Sequence, residues 1–187
     1  FILILLVFIS LSCQNREMRL RTAKTSGLVR ELLTKLDRAD FYSARKEAEI
    51  EEYKKQVESN RDYHEQYDAL YKVAENYSHY CIDSSLVYFN RAVQVAADAD
   101  DELLRIYAQI RLSTMLTIGG FYMEAAEILN SVPREALLAS HLPPYYNACM
   151  TLYREAYASS YEPDNFRRDY QDKYDEYRDS LLHVADT

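Results

Sequence analysis

No tryptophan occurs in the 187 residues, and only 3 glycines and 4 prolines interrupt them. Strands joined by tight turns need many more such residues, which argues against an all-β sandwich or barrel. Basic side chains are outnumbered, Lys+Arg 22 against Asp+Glu 30, for a net charge of −8. That balance argues against a nucleic-acid surface. The 3 cysteines form no Cys-x-x-Cys, so zinc and thioredoxin-type chemistry have no support. His64, His79, His141 and His183 make no His-x-x-x-His or Glu-x-x-His pair on a helical face, and no metal site is expected. Gly119-Gly120 has no Lys-Ser/Thr after it and no strand before it, so it is not a phosphate loop. Asp83-Ser84-Ser85 sets hydroxyls beside a carboxylate, but a helix cap and a packed small residue explain it better than catalysis. No catalytic residue and no cofactor is expected, and the chain reads as a protein that is not an enzyme.

What is present begins with one apolar run, FILILLVFISLS, ending at Cys13. At about 1.5 Å per residue it falls short of the roughly 30 Å of a hydrocarbon core. It fits the core of a secretory signal peptide. Ser10-Leu11-Ser12-Cys13 resembles a bacterial lipobox, with Ser10 where Leu is preferred, and makes Cys13 the candidate lipidation site. An ordinary signal peptide with an incidental Cys13 is one alternative. A signal anchor is another, because Arg16, Arg19, Arg21 and Lys24 against Glu17 leave a positive flank. The expected organisation is a leader over 1–13, a linker over 14–26 and a helical domain over 27–187. A chain without an initiator Met, and without a closing loop at Thr187, is expected to be part of a longer protein. Cys81 and Cys149 would be free to pair in an exported compartment, but their apolar and aromatic neighbours favour two unpaired thiols.

From Gly27 onward helical spacing is almost unbroken. Leu28, Leu32, Leu33 and Leu36 share one face of a first helix. Asp40 is placed to cap a second over about 41–59, whose middle, KEAEIEEYKK, holds pairs such as Glu51–Lys55 and reads as a solvated face. A third is predicted over about 62–80, with Tyr63, Tyr67, Leu70, Tyr71, Ala74 and Tyr77 inward. Asp83 is placed to cap a fourth, with Leu86, Phe89, Ala92, Val93 and Ala96 inward. Asp98-Ala99-Asp100-Asp101 marks the turn into a fifth over about 102–118, which Gly119-Gly120 stops. A sixth takes about 122–131, before Pro133. The prolines of Ser140-His141-Leu142-Pro143-Pro144 precede a seventh over about 145–160. An eighth, about 164–186, carries Phe166, Tyr170, Tyr174, Tyr177 and Leu181 at helical spacing.

Eight helices in four hairpins invite a search for a repeat. The clearest unit runs Leu112, Ser113, Leu116, Gly120, Tyr122, Ala125, Leu129, Val132. In it Gly120 ends one helix, Tyr122 fills the crevice between the pair and Ala125 lets the helices approach. One hairpin earlier, Ser85, Phe89 and Ala92 stand at the places of Ala125, Leu129 and Val132; one hairpin later, Phe166 and Tyr170 fit the first two less well. The unit resembles a tetratricopeptide repeat at a spacing longer than the usual length of about 34 residues. The resemblance implies an all-α, right-handed solenoid of about four antiparallel hairpins after the signal segment.

A wider series of pieces occurs in order along the chain. It comprises Leu32-Leu33-x-x-Leu36-Asp37, Tyr42-x-x-x-Lys46-Glu47-x-x-Ile50, Leu70-Tyr71, Asp83-Ser84-Ser85-x-x-Tyr88, Gly120-Phe121-Tyr122-x-Glu124-Ala125, Tyr145-Tyr146 and Tyr177-Arg178-Asp179-Ser180-Leu181-Leu182. In this it resembles a Bacteroidetes family of membrane-anchored proteins described as transcriptional regulators. In that family an exported tetratricopeptide-like region precedes a membrane helix and a cytoplasmic part. The resemblance implies a periplasmic sensor or interaction region, anchored through the leader or a downstream membrane helix.

Tyrosine, with 18 copies, is the most unusual feature. Tyr145, Tyr146, Tyr153, Tyr157, Tyr170 and Tyr174 converge if the last two helices form a hairpin. Inter-helix packing is the plainer explanation. The sharper one is an aromatic groove for a protein, a peptide or a glycan, since helical repeats bind along an extended face. Arg167-Arg168, among Asp164, Asp169 and Asp172, reads as a solvated face. Two functions follow as expectations: an envelope sensor module, or an envelope lipoprotein scaffold that is purely structural or oligomerising, its aromatic faces closing a homodimer.

Overall fold

The computed structural model describes residues 25–160 and 164–185. The leader and Cys13 therefore lie outside the described residues. Every regular element among the described residues is helical: α1 (25–36), α2 (Ala39–Ser59), α3 (Tyr63–Tyr77), α4 (Ile82–Asp98), α5 (Glu102–Ile118), α6 (Tyr122–Ser131), a single 3₁₀ turn (Arg134–Ala136), α7 (Leu142–Ser159) and α8 (Asp164–Ala185). The chain divides into two compact units, Phe1–Ala48 and Glu49–Thr187, the division falling within α2. Helix is already present at residues 25 and 26, inside the span that the sequence reads as linker.

Among the described residues side-chain caps set two helix starts, and three starts differ from the sequence reading. Asp40 lies inside the first turn of α2 and is not its cap. The Asp62 carboxylate accepts from the N–H groups of His64 and Glu65 at 3.0 and 3.1 Å, and Asp101 accepts from that of Leu104 at 3.1 Å. Both are ordinary N-caps that satisfy otherwise orphaned donors. Asp83 is not a cap. The N-cap of α4 is Cys81, and Asp83 sits in the first turn, where its charge faces the positive end of the helix dipole. Pro143 and Pro144 do not precede α7 either. They lie inside its first turn, where a missing N–H removes no helical hydrogen bond.

Within the second unit the helices pack as successive hairpins. α3 lies on α4, α5 on α6 and α7 on α8, and α4 and α6 each touch the helix that follows. α5 also reaches α7, one hairpin on. Contacts confined to one hairpin and the adjacent hairpin define a solenoid. α5 sits at its centre, burying Ile106, Ala108, Ile110, Leu112, Ser113, Met115 and Thr117. These seven buried positions fall in two clusters on opposite sides of the helix, Ile106, Ile110, Ser113 and Thr117 on one and Ala108, Leu112 and Met115 on the other, as expected of a helix packed between neighbours. α3 likewise buries Ala69 and Val73 beside the predicted face, because Ile50 and Val57 of α2 pack on it from the other side.

Candidate functional site

The repeat residues make the frame on which the surface is built. Leu112, Ala125 and Leu129 of the central hairpin are almost fully buried, as are Ser85, Phe89 and Ala92 of the preceding one. Small Ala125 and Ser85 are both at 0% exposure, and the Ser85 hydroxyl reaches the Ala74 carbonyl on the paired helix. Gly120 has φ +85°, a left-handed conformation that a side chain would strain. Tyr122 is half-buried, and its hydroxyl shares a 2.8 Å hydrogen bond with Ser159 at the end of α7.

The six groove candidates separate into two groups. Tyr145 and Tyr146 do not line an open groove. They are 3% and 9% exposed, packed with Leu129, Cys149 and Tyr177 between α6, α7 and α8. The Tyr145 hydroxyl donates to the Leu129 carbonyl at 3.4 Å, and Arg134 donates to the Tyr146 hydroxyl at 3.3 Å. Tyr146, Tyr153 and Tyr157 fall within about 40° of one another on α7, so the face does not separate them; α6 and α8 cover the end that carries Tyr145 and Tyr146.

Tyr153, Tyr157, Tyr170 and Tyr174 remain half-buried. Tyr153 stacks on Tyr177 with centroids 5.8 Å apart and planes 6° apart, and its other neighbour is Tyr170 at 6.5 Å. The Lys173 ammonium lies 5.8 Å from the Tyr153 ring. Tyr157 meets the Arg167 guanidinium at 4.6 Å. Tyr174 faces Arg178, 6.0 Å away, which is itself held by Asp175 and Asp179. Burial raises the Tyr153 phenol, and pushes the Tyr177 phenol up to about 12. Both stay neutral at ordinary pH and serve as aromatic faces, not as bases.

Arg167 and Arg168 form more than a solvated face. With Tyr157 and Gln171 they line a cavity of about 240 Å³ at the α7–α8 edge. The Arg167 Nε is buried without a hydrogen-bond partner. Cation–π attraction over Tyr157, worth about 0.5–2 kcal/mol, holds the guanidinium in place. The resulting surface offers flat rings, two guanidiniums and an amide. It can stack on a flat or apolar group and donate to an acceptor beside it. Among the described residues no group of three or more His, Cys, Asp or Glu side chains is placed to hold a metal.

A second aromatic seam runs between α3 and α5, and sequence reasoning missed it. Tyr71 and Tyr107 are stacked at 5.5 Å, and Tyr107 lies 5.9 Å from His141. Beside them Arg111 makes an ion pair with Glu75, donating through both Nε and Nη2. The signal was the 4-residue spacing of Tyr63, Tyr67 and Tyr71, but its partner helix could only be named from the fold.

Hairpins stacked in chain order, with small residues at each close approach and ring-lined edges, define a helical-repeat interaction module of the tetratricopeptide class. The chain belongs to the family of the SusR N-terminal TPR domain, whose description matches residues 36–187. No curated protein and no solved structure matches it.

Proposed function

We propose that this chain is the extracytoplasmic sensor region of a membrane-anchored transcriptional regulator. It acts without catalysis and binds a protein, a peptide or a glycan. The observation that carries the reading is the tyrosine ladder in which half-buried Tyr153 and Tyr170 extend outward from buried Tyr177, continued by Tyr157 under Arg167. Ordered rings with the Arg167 guanidinium at one end present large contact area at low entropic cost, which is what recognition surfaces favour. The apolar leader supports an exported location.

The absence of tryptophan makes tyrosine the sole strong intrinsic fluorophore. Linear oligosaccharides and acidic peptides are titrated into the whole chain while tyrosine emission is followed. A ligand found this way should bind Tyr153→Ala and Arg167→Ala at least 10-fold more weakly, about 1.4 kcal/mol, with helicity by circular dichroism unchanged. Equal binding by wild type and both variants would overturn the assignment of the surface.

A further inference from the structure

The first unit leaves a helix face uncovered. In α1, Leu28, Val29, Leu32, Leu33 and Leu36 are all between 50% and 59% exposed. At 100° per residue they fill one contiguous arc, while Arg30, Glu31, Thr34 and Lys35 occupy the opposite side. That polar side is tied internally, by Lys35–Glu31 at 3.0 Å and by the Thr34 hydroxyl to the Arg30 carbonyl at 2.9 Å. A helix of 12 residues is marginal in water unless its apolar face finds a surface.

Three observations say which surface. The family match begins at residue 36, the last of α1, so the rest of α1 precedes the matched region. The apolar run before Cys13 precedes it by only a short basic stretch, Arg16, Arg19, Arg21 and Lys24 against Glu17. Charge is also strongly divided: residues 1–48 hold nine Lys/Arg and five Asp/Glu, a net of +4, so residues 49–187 carry −12. Residues 1–48 of a second copy would bring like charge against like. An anionic lipid surface matches both the apolar arc and the positive charge.

We propose that α1 is an interfacial helix, with Leu28, Leu32, Leu33 and Leu36 seated in an anionic lipid surface and Arg30 and Lys35 toward the headgroups. It lays the chain along the membrane immediately before the repeat domain. The proposal concerns the first unit alone and does not depend on the tyrosine ladder.

The native chain has no tryptophan, so a single introduced indole reports unambiguously. The whole chain is incorporated into vesicles of phosphatidylcholine, with and without phosphatidylglycerol, carrying Leu32→Trp on the apolar face or Thr34→Trp on the polar face. With phosphatidylglycerol, the indole of Leu32→Trp should emit to the blue, be quenched by brominated acyl chains and be shielded from iodide. The Thr34→Trp indole should stay iodide-accessible. Adding Leu28→Glu and Leu36→Glu to Leu32→Trp should abolish the lipid quenching. Iodide access to the Leu32→Trp indole in vesicle-bound protein would overturn the proposal. So would shielding from both quenchers: if it varies with the protein-to-lipid ratio a second copy covers the face, and if not the chain's own residues do. Equal lipid quenching in pure phosphatidylcholine would overturn the anionic specificity.

Discussion

The Ser85 hydroxyl donates to the Ala74 carbonyl at 2.9 Å, and neither residue has any exposed surface. This bond joins α4 to α3 where the next hairpin has Ala125 in the same place. The Ala74 carbonyl also accepts the Ser78 N–H at 2.9 Å, so losing the hydroxyl leaves it satisfied. Ser85→Ala should therefore cost only about 0.5–1 kcal/mol, and Ser85→Leu, which overfills the contact, about 1–3 kcal/mol or more. Urea unfolding checks the order. A larger loss for Ala than for Leu would mean that the hydrogen bond outweighs the packing.

Two helices end in the same way with different residues. Phe121 N–H bonds to the Leu116 carbonyl and Gly120 N–H to that of Thr117; Asp101 N–H bonds to the Ala96 carbonyl and Asp100 N–H to that of Ala97. Each is a Schellman motif needing positive φ at the residue past the cap, +85° at Gly120 and 54° at Asp100. Gly120→Ala should lower stability by about 1 kcal/mol, and Asp100→Gly should raise it by up to about 1 kcal/mol. Opposite shifts in the urea midpoint, at unchanged slope, are the expected readout.

Alkaline pH should loosen the α6–α7–α8 core. Burial pushes the Cys149 thiol and the Tyr177 phenol each up to about 12. Unfolded, these groups release their protons near about 8.5 and 10. Above those values the folded chain binds more protons than the unfolded one, so stability falls as pH rises. The contribution of these groups is intact below about pH 8.5, and each then loses about 1.4 kcal/mol per unit until its folded value is reached. Urea midpoints measured from pH 7 upward should decline, and Tyr177→Phe should move the alkaline unfolding midpoint higher. Midpoints that stay level up to about pH 11 would contradict the sign.

The Glu75–Arg111 pair bridges α3 and α5 at about one-third exposure on each side chain. Solvent screening limits such a pair to about 0.2–1 kcal/mol. A double-mutant cycle with Glu75→Gln and Arg111→Met should give a coupling in that range, shrinking in high salt. A coupling indifferent to salt would show that the contact of the Arg111 guanidinium with the Phe89 ring, 6.0 Å away, matters more than its pairing with Glu75.

Local chemistry by itself determined the helices. Leu and Tyr recurring at three and four residues, Asp62 and Asp101 at starts and Gly119-Gly120 at a stop are short-range signals, and α5 and α6 occupy the spans read from them. The repeat was legible because close helix approach tolerates only small residues, so Ser85 and Ala125 mark the same place in successive hairpins. Which tyrosines face outward was decided only by the tertiary structure. Tyr146 and Tyr153 lie seven residues apart on nearly the same helical face, yet α6 with Arg134 closes over the first while the second stays half-open beside Tyr170. Arg167 reads as one more surface charge until α8 folds back and sets it over Tyr157. Periodicity fixes the direction a side chain takes from its own helix, whereas exposure depends on what other helices bring to that spot, and those partners are distant in the chain.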